Sequence, residues 1–399
     1  MQSTAQCQVP GHGDVLDVLA PARYPWRFNS PRFSRHRIEV RRFAPLNYVS
    51  RRIEGVTLFN PWPPRRFDLI HAFNRIPLES SPFVIGFESH LPRGFGIEQS
   101  RFFARMRAKL AGTRCKAIIA ISEYAARQFL RQHAGTTEAE TLRAKLLVRY
   151  PNLRVPATPR TMASGDTVRL VFVGNHFGRK GGSVAVRVAE LARARGLSLH
   201  LDVVSAFEVG TVSWTDPLSP GYFDADRERL RLPNVTAHGA LPNVAVLELV
   251  GNAHFSLLPT FSDTFGYSVI ESMAQGTPAV VTAQGALPEF VHHGVNGMVL
   301  PMATDAVGEW GGFIGADRAS SAYAAMHRQE VERLAELTLE AVITATADPD
   351  AYQCMRRAAH ETASTMFGAT EASGWWDELY VRALRGNPQA LATAGGATA

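Results

Sequence analysis

Two acids eight residues apart, Asp263 and Glu271, flank a Phe265-Gly266 step where an apolar run gives way to a helical pattern. From Leu257 to Leu300 the chain reads as a strand end, a Ser-Asp-Thr turn and a helix carrying the second acid. A Gly276-Thr277-Pro278 break, a second apolar strand and a Gly-Ala-Leu-Pro-Glu loop follow. A helix start offers unpaired N–H groups and a positive dipole end, so Thr264, Phe265 and Gly266 suit the anionic part of a ligand. Carboxylates on either side accept hydrogen bonds from hydroxyls. The combination fits a nucleotide-sugar better than a bare phosphate. A plain strand–helix–strand unit with solvated acids would show part of the same pattern.

A second constellation, Val173-Gly174-Asn175-His176-Phe177-Gly178-Arg179-Lys180-Gly181-Gly182, follows an apolar strand pattern and opens a helix. Glycines there let the backbone come close to a ligand, and Arg179 and Lys180 place cations where a diphosphate would lie. Neither Walker spacing nor Gly-x-Gly-x-x-Gly is present, so a helix start with solvated cations is the competing reading. A third candidate, Gly86-Phe87-Glu88-Ser89-His90-Leu91, ends a buried strand, the place where open parallel sheets meet ligands. His90 is its chemically active member, with Glu88 and Ser122 as weaker neighbours. A lone His after a strand is also commonly structural.

The Leu257–Leu300 stretch resembles the donor-binding signature of the retaining glycosyltransferases of GT-B fold known as group 1 or family 4. The resemblance rests on Phe265-Gly266, on Glu271-Ser272-Met273-Ala274, on the Gly-Thr-Pro break, and on the Pro288-Glu289 and Gly294-Val295-Asn296-Gly297 turns. Asp263 departs from the pattern, standing one methylene short of the family's first Glu. The Gly174–Gly182 segment is similar to the family's pyrophosphate-binding segment, with Asn175 where an Arg is frequent and Arg179 close by. His90 matches a His near the reacting sugar carbon. Gly11-His12-Gly13 is a poor match to the family's N-terminal Gly-rich loop.

This resemblance implies an α/β GT-B fold: two doubly wound Rossmann-like domains facing a central cleft. Residues 1–155 would form the acceptor-side domain and 160–360 the nucleotide-sugar domain. A helix at 361–385 would return to the first domain, with Trp375 and Trp376 in its packing. It implies a metal-independent hexosyltransferase of polysaccharide biosynthesis. Such an enzyme moves a sugar, with retention, from a UDP- or GDP-linked donor to a saccharide or lipid-linked glycan, with no cofactor besides the donor. Arg179, Lys180 and the Phe265 and Gly266 amides would stabilise the departing diphosphate. Asp263 would hold sugar hydroxyls, Glu271 the ribose, and His90 the reacting face. A GT-B protein that binds glycan or nucleotide without catalysis is the alternative.

The elements that must carry these residues alternate. Apolar strand patterns fall at Phe67–Phe73, Phe83–Phe87, Lys116–Ile121, Val168–Val173, Leu199–Val204 and His254–Leu258, and hints at Arg37–Phe43 and Gly55–Phe59. Helical patterns fall at 98–113, after Ser122 as N-cap, at 182–195, near Asn243–Val250, at 320–345, at Tyr352–Phe367 and at Ala372–Arg385. Such alternation predicts parallel sheets covered on both faces. Tyr150–Pro159 is Pro-rich and reads as an interdomain linker, and 386–399 as a disordered tail of small residues.

With 399 residues, 46% apolar and 20% charged, the chain suits two soluble domains. No eighteen-residue apolar stretch free of charges predicts a membrane span, and the opening residues lack a secretory pattern. Cys7, Cys115 and Cys354 are scattered, which argues against a disulfide framework and for a reducing cytoplasm; Cys7 with His12 makes a weak metal pair. Residues 1–150 hold 24 Lys and Arg against 11 Asp and Glu, so this half invites anionic partners. An anionic membrane surface at the inner face or a charged glycan fits. Nucleic acid is not expected, for no aromatic–basic or zinc-finger pattern accompanies the charge. The overwhelming use of Arg over Lys is equally a compositional bias. Asp224-Ala225-Asp226 formally matches a metal-binding Asp-x-Asp, yet it lies in a charged helical run rather than capping an apolar strand. His292-His293 lacks partners in the sequence.

Overall fold

A computed structural model describes residues 15–22, 24–44, 46, 54–59, 66–160, 167–313 and 315–386. Cys7, the Gly11–Gly13 loop and the small-residue tail beyond 386 lie outside these residues. The chain divides into two compact units, one of Met1–Leu153 with Gly368–Ala399 and one of Arg154–Phe367.

The first unit begins with β1 (Asp17–Pro21), α1 (Tyr24–Phe28), β2 (Arg37–Arg41), β3 (Phe43–Ala44), β4 (Val56–Phe59) and β5 (Leu69–Phe73). It continues through β6 (Ile76–Pro77), β7 (Phe83–Phe87), α2 (Arg101–Ala111), β8 (Cys115–Ala120), α3 (Glu123–His133), α4 (Ala139–Lys145) and β9 (Leu146–Val148). Six parallel strands order as β2-β1-β5-β7-β8-β9, and β3, β4 and β6 make a small second sheet. Every residue of β5 and β7 is buried, as a sheet covered on both faces requires. Ser122 caps α3, its hydroxyl accepting from the Ala125 amide at 3.0 Å. Lys145 ends α2 by donating to the carbonyls of Leu110, Ala111 and Gly112 at 3.1, 2.7 and 2.6 Å.

The second unit holds β10 (Val168–Val173), α5 (Gly182–Ala194), β11 (Leu199–Val204), α6 (Asp224–Arg229), β12 (Val235–Ala237) and α7 (Asn243–Gly251). It goes on through β13 (Phe255–Leu258), α8 (Tyr267–Ala274), β14 (Ala279–Thr282), β15 (Gly297–Leu300), α9 (Ser321–Thr346) and α10 (Pro349–Phe367). Its strands order as β12-β11-β10-β13-β14-β15, all parallel. Helix α5 and the long α9 close one face over Phe172, Phe255, Val188, Leu334 and Leu339.

The last helix, α11 (Ala369–Arg385), belongs to the first unit. Its Trp376, Leu379, Tyr380 and Ala383 join Val18, Leu69, Val84 and Ile119 in one core. The division falls at Phe367/Gly368, between α10 and α11, rather than inside a helix. Trp376 is buried in that core, while Trp375 lies across the Arg149 guanidinium, 5.5 Å from its carbon.

Candidate functional site

In the second sheet the chain runs outward from β10 to β11 and β12, then returns to add β13 on β10's other side. The order therefore reverses between β10 and β13, and open α/β sheets bind ligands at the carboxyl ends of strands beside such a reversal. Both candidate loops leave these two strands: 174–181 leads from β10 into α5, and 259–266 leads from β13 into α8.

Hydrogen bonds lock the loops together. The Arg179 carbonyl accepts from the Phe261 amide at 2.8 Å and the Thr260 hydroxyl at 2.9 Å. Thr282, ending β14, donates to the Thr260 carbonyl at 2.6 Å, and Gln284 accepts from the Asp263 amide at 2.9 Å. Gly181, the residue before α5, has φ +85°, and a β-carbon there would lie 2.2 Å from the Pro259 carbonyl oxygen. Both its conformation and its contact exclude a side chain. Gly181→Ala should destabilise the protein by more than about 2 kcal/mol, readable as a lowered denaturant midpoint. An unaltered midpoint would mean the loops separate freely.

Lys180 Nζ donates to Asp263 Oδ2 at 2.7 Å, and Arg179 Nη1 stands 4.0 Å from the same oxygen. Asp263 Oδ1 accepts from the amides of Phe265 and Gly266, each at 3.2 Å. Asp263 and Arg179 are buried; Lys180 is half-buried. Burial by itself pushes the Asp263 carboxyl up. Lys180 and Arg179, with the Phe265 amide, outweigh it and hold the pKa down to about 2. Asp263 is thus an anion that fixes an ammonium group at the head of the site.

One expectation changes here. The Phe265 and Gly266 amides donate to Asp263, so in this structure they do not point at open space for an anion. The shorter acid explains it: an Asp reaches the N–H groups two and three residues on and closes an Asx-type turn. Gly266, with φ +94°, completes the turn into α8.

Arg179 likewise faces inward. Its Nη1 donates to the Ser262 carbonyl, and its carbon lies 4.5 Å from the centre of the Trp214 ring. Trp214 Nε1 donates to the Ser262 hydroxyl at 3.1 Å. Gly174 is pressed by the Lys180 stem, for a β-carbon there would sit 2.6 Å from Lys180 Cδ. Asn175 is exposed, and its carbonyl accepts from the Glu208 amide at 2.9 Å. Thr264 is half-buried between Asp263 and Phe265. Glu271 is half-buried on α8, where Asn243 Nδ2 donates to its Oε1 at 3.1 Å. Lys180, Arg179 and Asp263 therefore form one cluster, and Glu271 stands a helix away with a partner of its own.

His90 belongs to the first unit. It borders a cavity of about 240 Å³ lined also by Phe95, Glu98, Gln128, Arg131 and Gln132. Its Nδ1 lies 3.2 Å from the Ser89 hydroxyl, and its ring meets Phe95 edge-on at 5.5 Å. Helix α3 clamps the loop: Gln132 bonds the Leu91 amide and the Pro92 carbonyl, both at 2.9 Å, and His133 bonds the Leu91 carbonyl at 2.8 Å. Glu88 exchanges bonds with Asn74, at 2.8 and 3.1 Å.

Asp226 of the Asp-x-Asp stretch is buried, bonded to the Ser183 hydroxyl at 2.6 Å and Arg229 at 3.0 Å. It ties α6 to α5. Among the described residues no three His, Cys, Asp or Glu side chains converge as a metal site, and no helix is long and apolar enough to cross a membrane. The residues that reading the sequence passed over are Trp214 and Gln284, brought in from separate segments.

Residues 167–309, all within the second unit, match the family model described as Glycosyl transferases group 1. D-inositol 3-phosphate glycosyltransferase of Thermobifida fusca is 29% identical over 151 residues, 38% of this chain and 35% of that protein. The same enzyme of Pseudarthrobacter chlorophenolicus is 30% identical over 154 residues, 38% of this chain and 34% of that one. The match thus spans about a third of these curated relatives. Among solved structures, Anabaena HepE in complex with UDP-glucose aligns with TM-score 0.56 at 14% identity, covering 91% of this chain and 98% of that one. A glycosyltransferase from Rickettsia africae aligns with TM-score 0.55 at 13% identity, over 80% and 77%. These likenesses show the fold: α/β, GT-B, with two Rossmann-like units.

Proposed function

We propose that the protein is a glycosyltransferase that moves a sugar from a nucleotide-sugar onto a saccharide or lipid-linked glycan. The Lys180–Asp263 pair at the β10/β13 reversal, inside the group 1 domain, carries this reading. Breaking a glycosyl–phosphate bond builds negative charge on the departing diphosphate, and a fixed ammonium group beside it lowers that barrier. Asp263 holds Lys180 in place before the donor arrives, so little reorganisation remains. Two carboxylate oxygens already engaged by Lys180 and two amides leave room for one further hydroxyl. Asp263 is accordingly a positioning residue first and a sugar contact second.

Glu271 and Asn243 form the hydroxyl-binding edge for the ribose, and His90 with its clamped loop serves the reacting face on the acceptor side. We further propose retention at the anomeric carbon and no metal requirement, both from the resemblance of Leu257–Leu300 to retaining enzymes. Exposed cations of the first unit would favour an anionic acceptor or membrane surface.

The purified protein, offered UDP- and GDP-linked hexoses, should be thermally stabilised by one of them and release the nucleoside diphosphate. Stabilisation by none, with no release, would overturn the proposal. Proton NMR of the product, taken with and without chelator, reads retention and metal dependence. Glu271→Ala should weaken nucleotide binding about tenfold, the scale of one good hydrogen bond to a charged group. Calorimetry with the free nucleotide checks it, and unchanged affinity would remove Glu271 from the ribose edge.

A further inference from the structure

Trp214 is 46% exposed, although one face of its indole rests on Arg179 and its N–H is bonded to Ser262. Nearly half of the side chain thus stays in water with both of those contacts made. Arg179 also approaches Asp263 Oδ2, and Ser262 directly precedes Asp263, so this exposed indole borders the charged cluster.

The segment that presents it is not loose. Asp216 is fully buried and accepts from the Gly210 amide and the Ser213 hydroxyl, each at 2.9 Å. Arg318 donates to the Asp216 carbonyl at 3.0 Å, and Tyr323 to the Thr215 carbonyl at 2.5 Å. A β-carbon on Gly178 would come within 2.6 Å of the Asp216 carboxylate, so the Trp214 segment is seated directly on the loop that carries Lys180. A rigid, large apolar surface left in water beside a polar site signals a ligand with one apolar face.

We propose that the open face of Trp214 is the wall against which the donor's sugar ring packs, making Trp214 a specificity-determining residue for a pyranosyl group. The inference rests on the nucleotide-sugar reading above. A pyranose presents a patch of weakly positive C–H bonds on one face and hydroxyls at its rim. The C–H patch suits the negative face of an indole, and Arg179 beneath the other face does not compete for it. Asp263, with one acceptor position left, takes a rim hydroxyl. The nucleotide portion lies beyond this wall and does not depend on it.

The test compares calorimetric affinities of UDP and UDP-glucose, and of GDP and GDP-mannose, for the wild type, Trp214→Ala and Trp214→Phe. Trp214→Ala should weaken the nucleotide-sugar about tenfold while leaving the free nucleotide within twofold, and Trp214→Phe should recover most of the loss. Loss of the indole N–H bond to Ser262 is common to both variants, so recovery by Phe isolates the ring face. Equal weakening of nucleotide and nucleotide-sugar overturns the sugar assignment in favour of a base-stacking or merely structural ring. Unchanged affinity for both overturns it outright. A wild type that binds neither class brings down the underlying functional reading, and this inference with it.

Discussion

Lys180→Ala is expected to lower the rate of sugar transfer by about a hundredfold or more, the scale for losing one preorganised charge at a developing anion. The structure gives the substitution a second consequence. Asp263 is buried and owes its low pKa to Lys180 before Arg179, so losing the ammonium leaves a carboxylate with an incomplete set of partners. Breaking a buried ion pair from one side destabilises by roughly 3–5 kcal/mol, and relaxation at this half-exposed lysine brings the figure down. Fold and catalysis are separated by a cycle. The double variant Lys180→Ala/Asp263→Asn should regain part of the stability, since neither partner then carries an unmatched charge. Its turnover should fall by much less than the two single losses combined, because Asp263 acts mainly through Lys180 and only secondarily on a sugar hydroxyl. Fully additive losses in turnover would mean that Asp263 acts on the sugar alone and does not position Lys180. Unchanged turnover in Lys180→Ala would remove the lysine from the mechanism.

The same pair shows how much of the site could be read from residues alone. A strand ending in Gly, a Lys at a helix start, and an acid beside Phe-Gly are local patterns, and β10, β11 and β7 stand where their apolar runs placed them. What an acid does with its two oxygens is not local. Asp263 turns back on its own backbone because it is short, and the Asp-Thr-Phe-Gly spacing was the available signal for that turn. Trp214 and Gln284 had no such signal; one lies in an irregular segment, the other after a strand, and only the tertiary fold brings them to Asp263. The short elements passed unseen for a related reason. Strand β12 has three residues, partly or fully exposed at a sheet edge, and α4 starts without a side-chain cap, so neither has a periodicity to detect.

Acid should weaken each unit chiefly through one fully buried histidine. His71 on β5 is wholly buried, with Nδ1 at 2.8 Å from the Tyr380 hydroxyl and its ring 4.4 Å from that of Trp376. His327 on α9 is equally buried, 2.7 Å from the Tyr222 hydroxyl and stacked at 4.2 Å on Phe261. Burial brings both from the ordinary 6.5 down to about 3. Above pH 6.5 both are neutral whether the chain is folded or not, and pH has no leverage. Below it the unfolded chain takes up the protons and the folded one refuses them until about pH 3. Stability is therefore full above pH 6.5 and is lost as pH falls towards 3, by about 1.4 kcal/mol per unit for each histidine. His133, His176 and His254, also lowered by burial first, act in the same direction. Measured between pH 6.5 and 5, hydrogen exchange would give the opening free energy of each unit separately. His71→Gln should flatten the pH slope of the first unit alone, and His327→Gln that of the second, since a glutamine keeps a partner for the tyrosine and has no proton to accept. Slopes left unchanged by the substitutions would place the acid sensitivity elsewhere and would mean that protons reach these imidazoles in the folded protein.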